Sequence, residues 1–175
     1  FYETKGNTFT DDLSGDASYY EYFYIDSIKT QDTTHVSNFT NTFDAYYRKL
    51  NLNKTGGWRF GIGGLYQLID LFQDSIINTY YSNIAGNISF KYFSLRQSLQ
   101  INNAYTFSGY NSGDYLVKLN YFYTWGDTVK KNKTTFCLNI KYQNTTPSYF
   151  HQNYYSNHFK WENKLDKNSE INMNN

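Results

Sequence analysis

The chain has 175 residues, enough for one sizeable domain, and a formal net charge of +1 at pH 7. That balance supplies no basic field, so no nucleic acid partner is expected. The single Cys137 excludes an internal disulfide, and no Cys or His spacing fits a zinc site. Aromatic residues reach 21%, with Tyr alone contributing 20. A soluble core is built mainly from Leu, Ile, Val and Ala, whereas rings, Asn, Ser and Thr dominate here, a mixture that favours strands. No apolar run approaches the roughly 20 residues of a membrane helix. The chain opens at Phe1 without a basic and then apolar leader, and we expect a piece of a longer protein or a mature segment.

Residues 1–33 read as one long loop. Asp11, Asp12 and Asp16 lie there beside Gly6 and Gly15, but no closing Glu completes a calcium loop. From residue 34 onward the sequence alternates. In FTNTFDAYY, Phe39, Phe43, Ala45 and Tyr47 share one face, and Thr40, Thr42, Asp44 and Arg48 the other. In WRFGIGGLYQL, Trp58, Phe60, Ile62, Tyr66 and Leu68 oppose Arg59, Gly61, Gly63 and Gln67. The same two-residue period, the signature of a strand with unlike faces, returns at 80–92, 95–107, 115–125 and 136–143. HFKWENKL starts a further strand, with Phe159, Trp161 and Leu165 on one side. About seven segments result, each near the roughly 9–11 residues that cross a bilayer as a tilted strand. Turn-rich stretches such as NLNKTGG, GYNSGD and GDTVKKN join them.

Two architectures fit this rhythm. A soluble sandwich or lipocalin-like barrel puts the apolar face inside. A transmembrane barrel turns it outward, toward lipid, around a wet lumen. The polar face carries charged and amide groups over its full length, the strands are long for a sandwich, and rings gather at strand ends. These favour the membrane barrel, with about seven strands of a larger antiparallel barrel in this chain. If connections alternate, 50–57, 92–97 and 126–132 share one side. Trp58, Tyr92 and Trp125 then collect at that level with Tyr46 and Tyr47, and Trp161 joins the expected aromatic girdle. The longer set, 1–33, 69–77, 109–113 and 146–158, is assigned to the cell exterior.

GYNSGDY at 109–115 and PSYFHQNYYSNHFKWEN at 147–163 resemble the Bacteroidota Putative porin family of outer-membrane proteins, and YYEYFYID at 19–26 is similar to a loop of that family. The resemblance spans most of the chain and rests on structural motifs. It implies a β-barrel porin of the bacterial outer membrane, made with a cleaved leader.

Under this barrel reading Arg48, Arg59, Lys91, Arg96, Lys118, Lys141 and Lys160 face the lumen, against fewer acids, Asp44, Asp114 and Glu162. A basic wall concentrates anions, so a weak anion preference is expected unless acids from further strands pair with it. The expected function is passive diffusion of small polar solutes, with membrane lipid, lipopolysaccharide and other outer-membrane proteins as neighbours. The alternatives are a non-conducting structural or accessory barrel in a larger complex, and a soluble carbohydrate-binding module. His151 and His158 lie seven apart with no third ligand at a fixed spacing, and no Ser, His and acid form a catalytic motif, so neither metal, cofactor nor enzymatic activity is expected. Asp followed by Ser or Thr and then an aliphatic residue or Thr makes Ser27, Thr33 and Ser75 candidate O-glycosylation positions. The rings of Tyr22, Tyr24, Tyr149, Phe150 and Tyr154 are expected to fold their loops onto the barrel mouth rather than anchor a partner.

Overall fold

The computed structural model describes residues 2–12, 24, 29–53, 55–73, 77–126 and 133–174. Its elements in chain order are β1 (Tyr2–Asp12), β2 (Lys29–Leu50), β3 (Gly57–Gln73), β4 (Ile77–Phe93), β5 (Gln97–Gly109), β6 (Tyr115–Gly126) and β7 (Lys133–Thr145). They are followed by the four-residue helix α1 (Tyr149–Gln152), β8 (Asn153–Tyr155), β9 (Lys160–Glu162) and β10 (Asn168–Asn174). β1 to β7 and then β10 form one antiparallel sheet of eight strands, each beside its chain neighbour, and the sheet is not closed. β8 and β9 form a separate ribbon. The chain packs as two compact units. One holds Phe1–Asn41, Gln67–Ser82 and Pro147–Asp166, and the other Thr42–Tyr66, Asn83–Thr146 and Lys167–Asn175.

In the second unit the register keeps like with like. Phe90 pairs with Ile101, Ile101 with Leu119, Leu119 with Ile140, and Ile140 with Met173, an apolar row across five strands. One residue along, Ser89, Asn102, Lys118, Lys141 and Asn172 form a polar row on the opposite face. A slip of one residue would exchange the faces, so the two rows fix the register together. The apolar face stands open: Phe43 is 71% exposed and Ile88 52%, and Phe60, Ile62, Ile84 and Phe107 are exposed too. Leu71 is the one buried apolar side chain among the described residues. Left in water, those six side chains alone would forgo on the order of 5–10 kcal/mol, similar to the whole net stability of a domain. An apolar face of this extent calls for a cover, either lipid or another protein surface.

In the first unit, β1 pairs with the start of β2 from Tyr2 opposite Phe39 to Asp12 opposite Lys29. The ribbon is held by its rings: Tyr154 stacks on Trp161 at 4.4 Å, and the Trp161 indole N–H donates to the Phe150 carbonyl at 3.1 Å. Gln73 is buried and accepts from the Tyr155 backbone N–H at 3.1 Å, beside the buried Ser156 and Asn157.

Three expectations are corrected. Residues 1–33 are not a single loop, because 2–12 form β1 against β2. Both partners are rich in Thr and charged residues, so the ladder rests on backbone hydrogen bonds and has no apolar period to betray it. The connection expected over 69–77 does not hold at 69–73 or at 77, since β3 continues to Gln73 and β4 begins at Ile77. The strand expected at HFKWENKL is the short β9, drawn into the ribbon by Trp161, and the last strand of the sheet is β10 instead. With β1 and β10 the sheet has eight strands, in line with the expected antiparallel array of about seven.

Candidate functional site

The polar face of the second unit is shaped by β3. At Gly61 an added Cβ would lie 2.5 Å from Ser89 Oγ and from the Tyr46 ring, and at Gly63 2.1 Å from Asp44 Oδ1. The missing side chains let β2 and β4 meet above β3: Asn87 Nδ2 donates to Asp44 Oδ1 at 3.2 Å. This approach across a middle strand is the close packing for which a strand glycine leaves room.

Nearer the turns 51–56 and 94–96, the same face opens into a hollow of about 460 Å³ lined by Tyr46, Arg48, Arg59, Lys91, Phe93 and Ser98. The Arg59 guanidinium lies 4.8 Å from the Tyr46 ring centroid, and that of Arg48 5.3 Å from the Phe93 centroid. Such cation–π seats hold a guanidinium by its face and leave its N–H edges for other partners. Among the described residues, no carboxylate forms an ion pair with Arg48, Arg59 or Lys91.

The remaining lumen candidates divide. Lys118 and Lys141 are direct cross-strand partners and line a hollow of about 390 Å³ with Asn120, Asn139, Asn172 and Asn174. Like charges directly opposite repel, and Glu170 on β10 interacts with Lys141. Arg96 sits in the turn ahead of β5 rather than on a strand, and lines a separate hollow with Asn51, Thr55 and Tyr123. Lys160 is not on the sheet at all: it belongs to the ribbon, with Nζ 4.9 Å from the Tyr155 ring centroid.

Trp58 is the second residue of β3, and Tyr92 and Trp125 are the last but one of β4 and β6. All three thus lie at strand ends that lead to the connections 51–56, 94–96 and 127–132. Trp58 packs 5.4 Å from Tyr47, and Trp125 5.9 Å from Tyr123. Trp161 belongs to the ribbon instead. Tyr24 lies 6.0 Å from Tyr155 and Tyr149 6.4 Å from Tyr81, so these loop rings pack on the protein itself. Tyr22 lies outside the described residues, as do Ser27, Ser75 and Asp16. Thr33 is described and lies within β2, opposite Thr8, half-buried rather than in a loop. His151 Nδ1 meets Ser148 Oγ at 2.9 Å.

Sequence reasoning missed the latch around Asp114. Its Oδ1 accepts from the Thr146 N–H at 2.9 Å, from Thr146 Oγ1 at 2.7 Å and from Lys167 Nζ at 2.8 Å. Lys167 also donates to the Ser112 carbonyl, and Gly113, at φ 79°, makes the tight turn between β5 and β6 possible. The second omission is the pair of rings under the arginines. Phe93 was legible as a break in parity, a ring at the end of the row Asn87, Ser89, Lys91.

An antiparallel sheet with an open apolar face and a polar face studded with cations is what a section of β-barrel channel wall consists of. The chain belongs to the family described as Putative porin, whose model matches residues 1–174. No curated protein and no solved structure matches it.

Proposed function

We propose that this protein is an outer-membrane channel through which small polar solutes diffuse passively, with a preference for anions. The carrying observation is the opposition of faces: apolar rows stand open while the polar rows hold Arg48, Arg59 and Lys91 without carboxylate partners among the described residues. In this reading the apolar rows meet membrane lipid and lipopolysaccharide, and Trp58, Tyr92 and Trp125 sit at one membrane–water boundary. The cations raise the local anion concentration and repel cations, as charged rings and walls do in pores. No bond is made or broken.

The test is conductance of the full-length protein in a planar bilayer under a salt gradient. Stepwise conductance with a reversal potential of anion sign is expected. Conductance with a reversal potential near zero would remove the anion preference alone. Stable insertion without conductance would replace the channel with a structural or accessory subunit of a larger outer-membrane complex. Recovery in the aqueous phase without detergent would favour a soluble carbohydrate-binding module.

A further inference from the structure

The hollow beside β3 is more than a charged wall, and we infer that it is a binding subsite for the phosphate group of a small phosphorylated solute. The inference rests on the channel reading for the ligand's access, but its chemistry comes from six side chains. Arg48, Arg59 and Lys91 come from three successive strands and line one space with the Ser98 hydroxyl. Each guanidinium lies against a ring, Arg59 on Tyr46 and Arg48 on Phe93. A guanidinium held by its face presents a planar fork that matches two oxygens of an oxyanion. Two forks, one ammonium and one hydroxyl suit a phosphate monoester, which carries three terminal oxygens and about two negative charges. A chloride ion uses none of this geometry, and a single carboxylate occupies one fork only.

The neighbouring carboxylate of the same face forms no ion pair with these cations among the described residues. Asp44 is taken up by Asn87 over Gly63. The volume, about 460 Å³, falls in the range of roughly 300–1,000 Å³ typical of small-molecule sites. It therefore has room for an organic moiety beyond the phosphate itself. The Lys118 and Lys141 hollow lacks this design: amides surround it and no aromatic ring lines it.

Isothermal titration of the full-length protein in detergent with glucose 6-phosphate and with inorganic phosphate tests the site without any need for conduction. Saturable binding of glucose 6-phosphate is expected, tighter than that of inorganic phosphate. Arg59→Ala should weaken it about tenfold or more, the loss of one charged hydrogen-bonding partner. Arg59→Lys should restore only part, because the fork is gone. Ser98→Asp, which puts a carboxylate into the hollow, should abolish binding. Lys164→Ala, which removes an equal charge from the exposed connection before β10, should leave it unchanged. Absence of saturable binding by the unaltered protein, or equal loss in Lys164→Ala, overturns the subsite. Parallel bilayer recordings separate the two ideas. Conductance without binding removes the subsite and keeps the channel, and binding without conductance keeps the subsite and removes the open channel.

Discussion

Asn87 and Asp44 lie on strands that are not neighbours, yet they share a hydrogen bond of 3.2 Å across Gly63 of the strand between them. The contact exists because position 63 has no side chain: a Cβ there would stand 2.1 Å from Asp44 Oδ1 and 2.8 Å from the Phe43 carbonyl. Gly63→Ala must therefore displace both the carboxylate and the amide. We expect a loss of about 1–3 kcal/mol, the usual range for overpacking. Urea-dependent folding into lipid vesicles, followed by circular dichroism, measures it. An unchanged midpoint would mean that the two side chains move aside freely.

The two faces of β6 should respond in opposite ways to the same residue. Leu119 lies in the apolar row, and Asn120 is the next residue on the polar face. Leu119→Arg should cost about 2–4 kcal/mol in a bilayer, as arginine does near the midplane of a barrel's lipid face. Asn120→Arg should fold normally and strengthen anion selectivity. Equal destabilisation of both variants in vesicles would refute the assignment of faces.

The three tryptophans offer a spectroscopic check on the membrane boundary. Trp58 and Trp125 lie at strand ends, whereas Trp161 is stacked on Tyr154 in the ribbon. In vesicles with bromine on the upper acyl chain, single-tryptophan proteins retaining Trp58 or Trp125 should be quenched. The protein retaining only Trp161 should not. Strong quenching of Trp161 would place the ribbon in lipid and end the present reading of it.

Asp114 ties the turn between β5 and β6 to the segment entering β10. The carboxylate is largely shielded and accepts three hydrogen bonds, one from the part-exposed Lys167. Asp114→Ala should lower stability by about 1.5–3 kcal/mol, as for a hydrogen-bonded charged group, with the exposed lysine adding little. The connection 146–167 should also open to trypsin at Lys160, Lys164 and Lys167. Cleavage at the unaltered rate would show that the ring packing of the ribbon suffices without the latch.

Legibility followed the source of each stabilisation. Six of the eight sheet strands were readable because a face such as Phe60, Ile62, Tyr66 and Leu68 repeats every second residue. β1 was not, since a ladder of Thr-rich partners is held by backbone groups that every sequence possesses. Trp161 and Lys160 went astray for the opposite reason. HFKWENKL alternates correctly, but one stack, Trp161 on Tyr154, claims it for a ribbon three residues wide in each strand. Within the candidate site, parity put Arg48, Arg59 and Lys91 on one face. It could not bring them into one hollow, because that depends on which positions of β2, β3, β4 and β5 come side by side.

The ladder between β1 and the start of β2 sets a different rule for evolutionary change from the rows of β4 to β7. Tyr2 to Asp12 face Lys29 to Phe39 through main-chain pairing, and apart from Tyr2, Phe9, Val36 and Phe39 the sequences there are mostly polar. Such a segment can exchange Thr for Ser, Asn or Lys with little penalty, while the row from Phe90 to Met173 must stay apolar at every step. Sequence change thus has a ready substrate at one place in the chain and almost none at the other.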